Sequence, residues 1–186
     1  MGAGEVHAAT REILRFWFDN LDEQQRFAKD PALDAEIAER FGALRDAVVA
    51  GDAAGWRDDP DTLLAAIILI DQFSRNIHRD SPRAFESDAL ALRLAREAID
   101  KGWDGGMTRD WKQFLYMPFM HSERMADQEE CVALFRTLDD AHLLSFATGH
   151  RDLIARFGRF PHRNAALGRA STPEELAYLS QPGAGY

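Results

Sequence analysis

Apolar residues recur along this chain at steps of three and four, the spacing that lines up one face of an α-helix. Leu90, Ala91, Leu94, Ala95 and Ala98 fall on one such face, with Arg93, Arg96, Glu97 and Asp100 opposite. Trp111, Phe114, Leu115, Pro118 and Phe119 form a second stripe, Cys131, Leu134, Phe135 and Leu138 a third, and Leu143, Phe146, Ala147, Ile154 and Phe157 a fourth. No segment alternates apolar and polar for long enough to make a strand. The pattern predicts helices near residues 7–18, 32–49, 60–73, 84–101, 109–121, 128–139, 141–157 and 173–180. Leu63 to Ile70 has no polar side at all, so that helix is expected to be central and covered by its neighbours.

Start and stop signals fit these limits. Asp30-Pro31, Asp59-Pro60, Ser81-Pro82 and Thr172-Pro173 each set a capping side chain before a proline. Proline has no N–H to lose in a first turn and already holds a helical φ. Asp127 with Glu130, and Thr172 with Glu175, have the spacing of capping boxes. Gly51, Gly102, the Gly105-Gly106 pair and Gly158 mark stops, and Pro118 is expected to kink or end its helix. The fold class is therefore all-α, a single domain over 1–186, with a core near 7–180 and a frayed tail from 181 to 186.

The chain carries a net charge of −9, which sets a low expectation for nucleic-acid binding. One cysteine, Cys131, allows no internal disulfide and no Cys-x-x-Cys zinc site. No signal peptide is read at the N-terminus and the longest apolar run is too short to span a bilayer, so a cytoplasmic protein without membrane contact is expected. Neither a Gly-rich phosphate loop nor a dinucleotide fingerprint appears, and no cofactor is expected.

Two windows break the acidic trend. Residues 74–83 hold Arg75, Arg79 and Arg83 against Asp80, and residues 150–169 hold five arginines against Asp152. Guanidinium forks match carboxylates and phosphates, so the windows suggest a local anion site. The plainer reading is that these arginines pair with the surrounding acids. Asp71, after Ile70, is expected to be buried and to need an Arg or N–H partner. Glu123, at the end of an apolar helix, is expected to have a specific partner because the helix dipole disfavours it there. His150 lies on an apolar stripe, where the common outcome is a core histidine bonded to a carbonyl or carboxylate. His121, Glu123, His150 and His162 are the candidate acids and bases, yet their spacing matches no metal-ligand signature, and no metal site is assigned.

The runs Asp-Gln-Phe-Ser-Arg-Asn at 71–76, Phe-Leu-Tyr-Met-Pro-Phe-Met-His-Ser-Glu at 114–123 and the long segment from His150 to Arg169 resemble the bacterial family catalogued as domain of unknown function 924. The resemblance runs from about Ile13 to Leu179. It implies a tetratricopeptide-like fold, antiparallel helix pairs stacked in a right-handed superhelix of about 8–9 helices, and it implies no activity. Signature positions carried over by motif are Asp71, Gln72, Arg75, Asn76, Arg79, His121, Ser122, Glu123, His150, Arg156, Arg159, His162, Arg163, Asn164 and Arg169. Ser74 stands where the family usually has proline, and His78 where it usually has an aromatic residue, which leaves the shape of that loop open. All of these except Ser122 are the candidate ligand residues. The favoured function is binding of a small anionic molecule or acidic peptide. The alternatives are a hydrolase or lyase acting on a small anionic substrate, and a scaffold whose polar residues form a buried network.

Overall fold

The computed structural model describes residues 2–184, and these form helices joined by short turns, with no strand among them. Ten α-helices follow in order among these residues: α1 Ala3–Leu14, α2 Glu23–Phe27, α3 Pro31–Ala50, α4 Pro60–Ile67, α5 Phe73–Ile77, α6 Asp88–Asp100, α7 Arg109–Met120, α8 Met125–Arg136, α9 Ala141–Phe157 and α10 Pro173–Leu179. Of the expected frayed tail, Gly185 and Tyr186 lie outside the described residues, whereas Gln181 and Ala184 close hydrogen-bonded turns.

The Asp-Pro and Thr-Pro starts behave as their chemistry requires. Asp30 accepts from the N–H groups of Ala32 and Leu33, Asp59 from those of Asp61 and Thr62, and Thr172 forms a capping box with Glu175. Two expected starts are corrected. Ser81 caps a short 3-10 turn, Pro82–Ala84, and α6 begins only at Asp88. Asp127 caps nothing; α8 begins at Met125, and Asp127 is a buried helical residue bonded to Ser122 and Arg96. Gly102 and Gly158 end their helices with φ of 68° and 69°, a left-handed turn where a side chain would be strained. Pro118 is accommodated in the last turn of α7, which ends at Met120.

Every residue from Leu63 to Ile70 is fully buried, so α4 and the turn after it are the axis of the molecule. Helices α1, α6 and α7 pack on α4, and α3 packs on the turn that follows it. Consecutive helices α6 to α9 then pack one on the next, an arrangement compatible with tetratricopeptide-like stacking. One continuous apolar core runs from Val6 to Ala147, and a satellite cluster of Leu153, Ile154 and Phe160 sits under the C-terminal segment.

Two helices widen locally. Arg15–Asn20 continues α1, and Ile68–Gln72 continues α4, each as a π-helical turn. Such a turn inserts extra backbone into the helix and re-aims the side chains beyond it. The second turn carries Asp71 and Gln72, both buried, and hands the chain on to α5. Residues 73–77, expected to lead into a loop, are therefore helical. Ser74 is buried in α5, where its hydroxyl donates to the Ile70 carbonyl and accepts from Arg45 Nε at 2.9 Å.

Candidate functional site

Five chain segments meet at one end of α4. Asp71 comes from the π-helical turn, Arg75 from α5, Asp88 from the first residue of α6, His121 from the end of α7, and Arg163 from the 3-10 turn Pro161–Arg163. Asp88, in the first turn of its helix, is favoured there by the dipole.

Arg75 ties the first three together. Its Nη1 donates to the Asp71 carbonyl at 2.8 Å and to Asp71 Oδ1 at 3.1 Å. Its Nη1 and Nη2 also grip both oxygens of Asp88, each at 3.0 Å. Asp71 accepts in addition from Gln72 Nε2 at 2.5 Å and meets His121 Nδ1 at 2.7 Å. Burial alone would push the Asp71 carboxyl up; the Arg75 charge and the His121 contact outweigh it and hold the carboxyl well below its usual range. With Asp71 ionised, the His121 hydrogen must sit on Nδ1, which leaves Nε2 with its lone pair and no hydrogen bond among the described residues. Burial and the Arg75 charge lower the His121 pKa against the pull of Asp71.

Gln128 fixes the end of α7 that carries His121. Its Nε2 donates to the carbonyls of Met120 at 2.8 Å and Ser122 at 2.6 Å, filling acceptors that a helix end leaves open.

Arg163 has a different environment. Its guanidinium lies between the rings of Phe85 and Phe160, 4.6 Å from each centroid. Only Nη1 donates, at 3.3 Å to Asp88 Oδ2, which Arg75 already holds. The Nε–Nη2 edge meets no acceptor among the described residues, and Nε is sealed. Burial and the nearby Arg75 charge bring its pKa down to about 10. Elsewhere the same edge grips a carboxylate: Arg79 holds Asp34 by Nε and Nη2 at 2.7 and 2.8 Å, and Arg159 holds Glu175 at the same two distances.

Phe160 is shared by the imidazoles. His150 and His162 each stand 5.5 Å from its ring, and His150 Nδ1 bonds the Phe146 carbonyl at 2.8 Å, the carbonyl partner expected of a core histidine. Burial drives the His150 ring down to about 3 and the His162 ring down to about 4, with neighbouring positive charge adding to both. Both are neutral at pH 7.

Glu123 and Arg169 brace this floor. The Phe160 N–H donates to Glu123 Oε1 at 2.8 Å, its carbonyl accepts from Arg169 at 3.1 Å, and the two side chains form a bidentate pair at 2.7 and 2.9 Å. Glu123 thus has the partner its position called for. Asn164 accepts from Arg169 Nε at 3.0 Å and donates to Ser171, and Arg159 with Glu175 closes the segment onto α10.

The candidate residues therefore separate. Asp71, Gln72, Arg75, His121, His150, His162 and Arg163 come together. Glu123, Arg159, Asn164 and Arg169 hold the C-terminal segment in place instead of lining the cluster. Asn76 and Arg79 leave it, both bonded to Asp34. Arg156 lies on the surface against Glu174. Sequence reasoning missed Asp88, the carboxylate shared by Arg75 and Arg163, and Phe85, which stacks on both guanidinium groups. Asp88 sits at an ordinary helix start and Phe85 in an ordinary turn, and neither carries a local signal. Two surface cavities, of about 160 and 330 Å³, are lined by other residues. Among the described residues no group of three or more His, Cys, Asp or Glu is placed to hold a metal ion, and no helix is long and apolar enough to cross a membrane.

No curated protein matches this chain. A solved structure of a protein of unknown function from Agrobacterium tumefaciens, ATU0120, is 37% identical and superposes with a TM-score of 0.89, covering 94% of this chain and 98% of the other. A family model described as a bacterial protein of unknown function, DUF924, matches residues 13–183. With that match over nearly its whole length, the chain belongs to this bacterial family.

Proposed function

We propose that this protein binds a small oxyanion, a carboxylate or a phosphate, at the Nη2 corner of the Arg163 guanidinium. The observation that supports this reading is the contrast among its arginines. Arg79 and Arg159 present the Nε–Nη2 edge to a carboxylate, whereas Arg163, almost wholly buried, presents it to none. A buried cation with one long hydrogen bond and two aromatic faces is under-compensated. An oxyanion reaching Nη2 would supply an acceptor for an N–H that has none among the described residues. The braces around Phe160 support the same reading, because they fix the ring on which the guanidinium rests.

The Asp71–His121 pair is the one feature a hydrolase or lyase would use; an anion-binding site uses it too, as a proton acceptor. A purely structural network is the other reading, and it fits Arg159, Arg169 and Glu175, whose charged groups are held in bidentate pairs.

Arg163→Met tests the assignment, since it keeps length and apolar packing. The expected outcome is a melting temperature equal to or above wild type, because a poorly compensated buried charge is gone, together with loss of phosphate binding by calorimetry of more than about tenfold. A lower melting temperature with phosphate affinity unchanged would place Arg163 in the scaffold.

A further inference from the structure

The charge of the cluster carries the anion-binding reading one step further. Two guanidinium groups, Arg75 and Arg163, face two carboxylates, Asp71 and Asp88. With neutral imidazoles this set is balanced before any ligand arrives. An entering oxyanion brings uncompensated negative charge to a place shielded from water, where such charge is strongly disfavoured. Arg163 offers hydrogen bonds but no new charge.

The groups able to add positive charge are imidazoles, and three elements supply one each. His121 comes from the end of α7, His150 from α9 and His162 from the 3-10 turn, and they lie within electrostatic reach of one another and of Arg163. Glu123, on the α7–α8 connection, is closed by Arg169 and the Phe160 N–H. His121 has its Nδ1 on the carboxylate of Asp71, and His150 has its Nδ1 on a neutral carbonyl. A proton arriving at His121 Nε2 creates an imidazolium already paired with Asp71.

We infer that the oxyanion enters together with a proton, that His121 held on Asp71 receives it at Nε2, and that the ligand class is a tetrahedral oxyanion, a phosphate group, one of whose charges that proton offsets. The step is balanced: one proton leaves the solvent, one N–H bond forms, and no other bond changes. The inference rests on the anion-binding reading.

Sulfate is the probe, being a tetrahedral dianion with no proton of its own to exchange near neutral pH. Calorimetric titration in two buffers of different ionisation enthalpy reads proton uptake directly. The expected result is uptake of about one proton per sulfate at neutral pH, with affinity rising about tenfold for each pH unit lowered. In His121→Gln, sulfate still binds and the uptake falls by at least half, while His150→Gln retains it. Sulfate binding without proton uptake, or uptake undiminished in His121→Gln, overturns the inference and leaves the anion site standing. Absence of both sulfate and phosphate binding in wild type overturns the two together. If His121→Gln does not fold, the ring resonances of His121 in the wild type serve instead. Movement to imidazolium positions on adding sulfate supports the inference, and unmoved resonances overturn it.

Discussion

Arg75 holds the buried Asp71 and the half-buried Asp88 at once, and Arg163 touches Asp88 at the limit of a hydrogen bond. Removing Arg75 strands Asp71, whose side chain is only 1% exposed, beside a second carboxylate. Arg75→Met is therefore expected to destabilise the protein by about 3 kcal/mol, the typical result of leaving a buried charge without its partner. Arg156→Ala is the contrast: that side chain and its partner Glu174 are 51% and 61% exposed, and exposed pairs contribute at most about 1 kcal/mol. Urea unfolding of the two variants checks the difference, and equal losses would contradict the burial on which the site is built. The sequence presents these arginines identically. What separates them is the depth to which neighbouring apolar residues carry them, and no residue type or spacing encodes that depth. Asp71 was legible because it follows directly on the eight apolar residues Leu63 to Ile70. Asp88 was not, because its role depends on Arg163, 75 positions away.

Among the elements, long helices were readable and their interruptions were not. Helix α9 ends where Gly158 allows positive φ, and Asp30, Asp59 and Thr172 cap as their oxygens permit. The five-residue helix α2 and the two π-helical turns escaped the apolar pattern. A helix of five residues has too few turns to show a period, and a π turn comes from tertiary packing that overrides local preference. The segment from Phe160 to Thr172 has no regular helix to hold it, and the Glu123–Arg169 pair takes over that task. Burial pushes the Glu123 carboxyl up, but the Arg169 bond and the Phe160 N–H more than offset it, leaving it below its usual range. A double-mutant cycle of Glu123→Ala and Arg169→Ala is expected to give a coupling energy between about 1 and 3 kcal/mol. The same variants should weaken phosphate binding, since Phe160 loses both of its backbone anchors and Arg163 rests on its ring. Additive losses would mean that the segment is held by its packing alone.

At the scale of the whole molecule, the site makes stability depend on pH in a definable window. His150 and His162 are neutral in the folded protein down to about pH 3 and about pH 4, whereas an unfolded histidine titrates near 6.5. Between these values the unfolded chain binds more protons than the folded one, so acid favours unfolding. Stability is fully present above about pH 6.5 and falls as pH drops below it, by about 3 kcal/mol per pH unit once both rings are charged in the unfolded state. The carboxylates add to the loss only at lower pH: Asp71, Glu123 and Glu175, held down in the folded state, contribute stability that disappears as pH falls through their folded values. Melting temperatures from about pH 7 to 4.5 should therefore decline without the plateau that a protein stabilised only by carboxylates would show there. Sulfate should flatten the decline. On the anion-binding reading it would bind the folded state alone and let His121 take up in the folded protein a proton it otherwise binds only on unfolding. A curve level down to about pH 5 would show that the rings are solvated, and the protein would then lack the buried neutral imidazoles from which a proton acceptor for a bound anion is drawn.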